Sequence, residues 1–304
     1  MKVLITGANG FIGSFLLRYL CENGIESLGI DRCLDRWNDD IPIEIADLCD
    51  HDKICEVLNR FQPDTIVLNG AIKGLDTCEN NLHALQVNVF SGIPFYEYAF
   101  HRDVHLIGIS SDMAFGGAVN HPSAENDPPS PANAYGIMKT VNEYLLKLFP
   151  ESSVVRTALV YGPMHPEEYQ VYCQNWLQDE IQNQSHLIHW TAYRCQRNQT
   201  VEMADNIFCN PTFIDDLVRG LETIIRLRKK GVFHCCGSER FSRYEIALEV
   251  ARLIGKPEMI RAFHSPENLR PFDVTLSNQK TVSELGLEPT LLRQGLRSSL
   301  QDFI

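Results

Sequence analysis

The chain has 304 residues, 44% of them hydrophobic and 22% charged, a balance that excludes a disordered chain and supplies apolar material for a large core. Its formal net charge of −12 repels phosphate backbones and anionic lipid at long range, so neither nucleic acid nor a membrane is an expected partner. A small anionic ligand held by local arginines and helix N-termini stays compatible with that charge. No apolar run reaches the roughly 18 residues of a membrane span, and the first residues enter a strand without the regions of an export signal, which points to a cytoplasmic protein. The ten cysteines form no C-x-x-C pair and are expected to be reduced and packed, with no metal bound.

In chain order, short apolar β-type runs alternate with segments of helical period over the first half, the pattern of repeated βαβ units. Strands are expected at Val3–Thr6, Ser27–Asp31, Glu44–Ala46, Thr65–Asn69, His105–Ser110 and Ser153–Leu159. Helices are expected at Phe11–Glu22, His51–Phe61, Leu82–His101 and Ala134–Phe149. The strands are apolar nearly throughout, as in a parallel sheet covered on both faces. Pro122–Asn133 breaks both periods and reads as a loop into the Ala134 helix. The segment 165–203 reads as polar and irregular. A strand edge and helix follow at Pro211–Leu227, a buried strand at Gly231–Cys236, a helix at Arg243–Ile254 and an irregular tail. The expected fold class is α/β, a Rossmann-type doubly wound parallel sheet with a smaller, interleaved C-terminal substrate lobe. Residues 1–160, joined by 210–236, form the dinucleotide-binding domain, and 161–209 with 237–304 form the lobe.

The first strand runs into Gly7-Ala8-Asn9-Gly10-Phe11-Ile12-Gly13, where glycines let the backbone approach a pyrophosphate and the following helix presents its N–H groups. The motif lies between a strand and a helix and is followed by Asp31 at the end of the second strand, the context that a dinucleotide site requires. The Asp31 carboxylate suits the ribose hydroxyls of NAD, whereas Arg32 suits the extra phosphate of NADP; NAD is slightly favoured. Asp47-Leu48 stands where the adenine edge would lie, and Asn69-Gly70-Ala71 where the backbone would pass the phosphates.

Tyr135 and Lys139 are four residues apart in a helix and so share a face. A neighbouring ammonium stabilises a phenolate, so the pairing predicts a lowered tyrosine pKa and a usable proton donor or acceptor. The preceding strand ends in Ser110-Ser111, where a hydroxyl can bind a carbonyl opposite the phenol.

On these residues the chain resembles the extended short-chain dehydrogenase/reductase family. Gly7–Gly13, Asp31, Asp47-Leu48, Asn69-Gly70-Ala71, Asn88, Ser110-Ser111, Tyr135 with Lys139, and Arg156 with Tyr161-Gly162-Pro163 fall in that family's order. Locally the match is best to the dTDP-4-dehydrorhamnose reductase branch, through Ser110–Gly117, Pro131–Lys139, Arg156–Gly162, Asn210–Asp216, Arg270-Pro271 and Leu285-Gly286-Leu287. The resemblance implies reduction of the 4-keto group of a nucleotide-linked 6-deoxyhexose. Tyr135 would protonate the alkoxide, Lys139 bind the nicotinamide ribose, Ser111 orient the carbonyl, and Asn88 and Ser110 line the cofactor. Asp112, Met113 and Arg270 would meet the substrate, Arg270 at a phosphate. The chain departs from the branch at Met113, where a tyrosine is usual, and at Leu159, where a tryptophan is frequent.

Dehydratases of the family carry Asp-Glu after the hydroxyl residue; Asp112-Met113 here counts against dehydration. A 4-epimerase with tightly bound NAD and a non-catalytic regulatory subunit are the alternatives, and a homodimer is compatible with the outer helices. His101 and His105 are not expected to bind metal. Asp215-Asp216 is expected to cap the next helix.

Overall fold

The computed structural model describes residues 1–34, 41–117, 122–164, 186–266 and 270–301. The first half comprises β1 (Lys2–Thr6), α1 (Phe11–Glu22), β2 (Glu26–Asp31), β3 (Ile43–Ile45), α2 (His51–Phe61) and β4 (Thr65–Leu68). It continues with α3 (Leu75–Cys78), α4 (Leu82–Asn88), α5 (Ile93–Phe100), β5 (His105–Ser111), α6 (Ala134–Leu146) and β6 (Ser152–Thr157). Then follow β7 (Val160–Tyr161), α7 (Leu187–Gln196), β8 (Val201–Ala204), β9 (Phe208–Cys209), β10 (Thr212–Phe213) and α8 (Ile214–Leu227). The last elements are β11 (Gly231–His234), β12 (Phe241–Ser242), α9 (Arg243–Leu253), β13 (Ile260–Phe263), α10 (Gln279–Leu285) and α11 (Leu292–Ser299).

Seven strands make one parallel sheet in the order β11-β6-β5-β4-β1-β2-β3. Successive residues of β1 explain why both faces are covered. Val3 and Ile5 pack with Leu16, Leu17 and Leu20 of α1 and with Leu217, Leu221 and Ile224 of α8, whereas Leu4 packs with Val57 and Leu58 of α2 and Phe95 of α5. The order reverses between β1 and β4, so a crevice opens at their carboxyl ends, where doubly wound sheets bind ligands.

A second core lies beside the sheet, built from Leu187 and Ile188 of α7, Val201 and Met203 of β8, Ile246 and Val250 of α9, and Leu292 and Leu296 of α11. Met113 and Tyr161 belong to it, so it meets the sheet at the carboxyl end of β5. The capping box of Ser242 and Glu245 starts α9.

Four expectations are corrected. Leu82–His101 is two helices separated by a 3-10 turn at Phe90–Gly92, because Pro94 has no N–H for the Phe90 carbonyl and its ring would clash there. The tail is not irregular: it holds β13, α10 and α11. Of the segment read as irregular, 165–185 lies outside the described residues and the remainder forms α7 and β8. Asp215 and Asp216 do not cap α8, whose N-cap is Phe213; they sit in its first turn, and Asp216 accepts from Thr290 N and Oγ1 at 2.6 and 3.0 Å.

Three buried histidines join elements. His105 pairs with Ser153 Oγ at 2.8 Å, His189 with the Ser299 carbonyl at 3.1 Å, and His234 with the Ser277 carbonyl at 3.0 Å. Burial lowers their pKa values from 6.5 to about 4, 4 and 3. The unfolded chain therefore binds more protons than the folded one below pH 6.5, and stability falls with pH until about pH 4. Each histidine contributes about 1.4 kcal/mol per pH unit in that window. Urea midpoints measured at pH 7, 6 and 5 should fall progressively; a midpoint constant over this range would contradict the neutral, buried state.

Candidate active site

β1 and β4 are joined at their carboxyl ends by short polar contacts. Thr6 Oγ1 accepts from Asn69 N and Gly70 N, both at 3.0 Å, and Asn69 Nδ2 donates to the Gly7 carbonyl at 3.1 Å. Gly7 has φ +64°, and a Cβ there would lie 2.6 Å from Gly70 Cα; one on Gly13 would lie 2.2 Å from Gly7 O. The turn is thus walled by backbone. Gly10 is the N-cap of α1 and no side chain caps it, so the N–H groups of Phe11, Ile12 and Gly13 open the helix as an anion-binding end.

Asp31 closes one side of this turn. Its Oδ2 accepts from Asn9 N at 2.9 Å and its Oδ1 from Arg32 N at 2.8 Å, while the Arg32 side chain is exposed. Asp47 Oδ1 accepts from Cys49 N at 2.8 Å, and Leu48 packs against Gly70. Asn88 clamps the loop that follows β4: it accepts from Ile72 N at 2.7 Å and donates to Ile72 O at 3.0 Å. Its amide therefore shapes the backbone after Asn69-Gly70-Ala71. The Ser110 hydroxyl likewise turns inward, donating to Glu143 Oε1 at 2.5 Å.

The catalytic candidates converge where β5 ends. Asn133 caps α6 by accepting from Gly136 N at 2.8 Å, and a Cβ on Gly136 would lie 2.1 Å from Met113 O. Glycine at 136 thus lets α6 press onto the turn Asp112–Ala114, bringing Tyr135 into the cluster that holds Met113 and within electrostatic reach of Asp112. Ser111 Oγ donates to Asp112 Oδ1 at 2.6 Å and accepts from Met113 N at 3.2 Å. Lys139 Nζ donates to the Ile109 carbonyl at 2.9 Å and sits 5.7 Å from the centre of the Tyr135 ring.

Their protonation departs from the expectation. Burial raises the Tyr135 pKa, with Asp112 and Cys78 adding to the rise, so the predicted lowering by Lys139 is overturned. The cause is the dry setting that the sequence pattern did not convey. Lys139 is itself lowered to about 8, by burial and then by Lys73. At neutral pH the site thus presents a protonated phenol beside an ammonium, which suits proton donation.

Of the residues expected to meet the substrate, Asp112 and Met113 are buried, and burial raises the Asp112 pKa. Arg270 lines a cleft of about 440 Å³ together with Arg243, Glu202, Met203, Phe263 and Ser265. Its pKa falls to about 10, because of Arg243 first and burial second. Arg243 was not anticipated. The capping box marked the start of α9, but nothing local showed that the first residue of this helix turns inward.

Residues 1–304 match the family model described as the RmlD substrate binding domain. The chain belongs to that family. Its relatives include the spore coat polysaccharide biosynthesis protein SpsK of Bacillus subtilis, 26% identical over 99% of this chain and 97% of that one. A dTDP-4-keto-6-deoxy-D-glucose reductase of Streptomyces niveus is 28% identical, over 94% and 91%. The methionine adenosyltransferase 2 subunit beta of Danio rerio is 26% identical, over 99% and 91%. Among solved structures, dTDP-4-dehydrorhamnose reductase from Bacillus anthracis in complex with NADP superposes with a TM-score of 0.81 at 20% identity, covering 98% of both chains. UDP-glucose 4-epimerase of Thermus thermophilus in complex with NAD gives 0.85 at 21% identity, covering 100% of this chain and 99% of that one. These likenesses confirm the Rossmann-type fold for this member of the RmlD family.

The backbone walls of the turn give a direct test. Gly13→Ala should cost about 1–3 kcal/mol of stability, because the methyl meets the fixed Gly7 carbonyl, and should weaken NADH binding measured by fluorescence titration. Unchanged stability and affinity would show that the close approach is unimportant.

Proposed function

We propose that the chain is an NAD(P)-dependent oxidoreductase of the extended short-chain type that reduces the 4-keto group of a nucleotide-linked 6-deoxyhexose. The observation that carries this reading is the partly buried Tyr135, its ring centre 5.7 Å from Lys139 Nζ, on the helix that packs against the turn after Ser111, at the carboxyl end of the sheet that also holds the glycine turn. Residues 1–160 with 210–236 are assigned to the dinucleotide and 161–209 with 237–304 to the sugar nucleotide.

The crowding at Gly7 and Gly13 fits a pyrophosphate lying against backbone. Phe11, Ile12 and Gly13 would meet the phosphates, Asp31 the adenosine ribose and Lys139 the nicotinamide ribose. When bound, the reduced nicotinamide supplies the hydride. Ser111 orients the carbonyl with its hydroxyl. Tyr135 donates its phenolic proton to the oxygen as negative charge develops there, and the Lys139 ammonium stabilises the resulting phenolate. Arg270 pairs with the anionic part of the substrate. Asp31 supports NAD, and the exposed Arg32 leaves room for NADP.

The site is proposed to work in the cytoplasm as a homodimer. Ile137, Val141 and Tyr144 form an exposed apolar stripe along α6, continued by Leu148 in the turn after it, with Ile93 and Phe100 exposed on α5. A surface helix apolar on its outward face calls for a partner, here a second copy. Among the described residues no helix is long and apolar enough to cross a membrane.

Loss of NADH or NADPH absorbance with nucleotide-linked 4-keto-6-deoxysugars should be stoichiometric for at least one of them. Tyr135→Phe should lower kcat by about 10²–10⁴. Dinucleotide binding without oxidation of any of them would instead favour an epimerase or a regulatory subunit. Light scattering on the eluting protein should give a dimer mass that Val141→Glu with Tyr144→Glu reduces to a monomer; a wild-type monomer would remove the dimer proposal.

A further inference from the structure

Behind the catalytic helix, Glu143 and Arg156 form an ion pair whose side chains are each 2% exposed. The pairing is bidentate: Arg156 Nη2 donates to Glu143 Oε2 at 2.7 Å and Arg156 Nε to Oε1 at 2.9 Å. The guanidinium is satisfied on its other side too. Its Nη1 lies 3.1 Å from His234 Nε2, and it sits 4.9 Å from the centre of the Phe115 ring. Because His234 Nδ1 donates to the Ser277 carbonyl, Nε2 is the acceptor of that arginine bond. Apolar residues of equal volume usually stabilise an interior as well as a buried ion pair does. Stability alone therefore does not account for this one, and its location suggests another role.

Glu143 follows Lys139 by one helical turn, on the same buried face. The two side chains grip consecutive residues of β5, Lys139 at the Ile109 carbonyl and Glu143 at the Ser110 hydroxyl, and the next residue is Ser111. Two rungs thus set the spacing between the helix that carries Tyr135 and the strand end that carries Ser111. Charge points the same way. Lys139 is faced by Lys73 from the loop after β4, by Cys78 from α3, and by Tyr135 and Glu143 from its own helix. Glu143 is the carboxylate in that set and, after Cys78, opposes both burial and Lys73, while its own counter-ion reaches away toward β11.

We propose that Glu143, held by Arg156, is a positioning residue: it keeps Lys139 charged inside the protein and fixes the distance from Tyr135 and Lys139 to Ser111. The proposal rests on the role given to Lys139 above. Its test is the titration of Lys139, followed by NMR on ¹³C-lysine-labelled protein without ligand and assigned with Lys139→Arg. In Glu143→Gln the titration should move down by about one pH unit. The alkaline loss of NADH affinity should move with it. The double substitution Glu143→Leu with Arg156→Met removes both charges of the pair and leaves neither partner unpaired, so it should restore the melting temperature without restoring the lysine titration. Lys139 titrating at the wild-type pH in both proteins, with only the melting temperature altered, would reduce the pair to a structural one. If wild-type protein failed to bind NADH, the dinucleotide reading would fall, and the lysine titration would still decide the role of Glu143.

Discussion

The carboxyl ends of β1 and β4 meet with almost no side chain between them, and the rest of the site depends on that approach. Gly7 and Gly70 touch backbone to backbone, Gly13 presses on the Gly7 carbonyl, and Thr6 and Asn69 hold the two strands together. Any Cβ at these contacts would push α1 away from the sheet. With the contacts intact, the uncapped start of α1 faces the crevice where the strand order reverses, and Asp31 is held within reach through Asn9 N. A backbone cradle of this kind binds phosphate through N–H groups and a helix dipole, which explains how a chain of net charge −12 can take an anionic ligand.

One strand further along, close packing serves chemistry in a different way. Gly136 lets α6 settle on the turn after Ser111, and the burial that results sets the protonation of the site. Tyr135 is held as a phenol, and Lys139 is brought to a pKa of about 8. A group proposed to give up a proton while a carbonyl is reduced begins in the right state. The Glu143–Arg156 pair lies one helical turn beyond Lys139, so the same buried helix face carries the proposed reacting groups and the ion pair.

Much of this was legible in the sequence, and the exceptions have identifiable causes. Phe11–Glu22 and His51–Phe61 were read with their observed ends because a glycine turn and Asp50 precede them and their apolar period is strong. The glycine turn, Asp31 and Ser111 are read at strand ends and Tyr135 and Lys139 at a helical interval, and the structure has each of them at that place in the fold. Misreadings arose where the deciding interaction is distant in sequence. The apolar run through Phe90–Phe95 concealed the break at Pro94. Beyond such misreadings, Ser110 and Asn88 also bond to Glu143 and to the backbone of Ile72, contacts that no local pattern records. Arg243 turns inward and Asp216 ties down Thr290 through tertiary packing alone.

The central claim is that hydride reaches a keto carbon of the sugar while Tyr135 supplies the proton. Incubation with NADH or NADPH carrying deuterium at the transferred position, followed by mass spectrometry and NMR of the sugar nucleotide, tests it directly. The account predicts one deuterium at C4 of the product for each cofactor oxidised. A sugar nucleotide converted without deuterium and without net cofactor oxidation would contradict it.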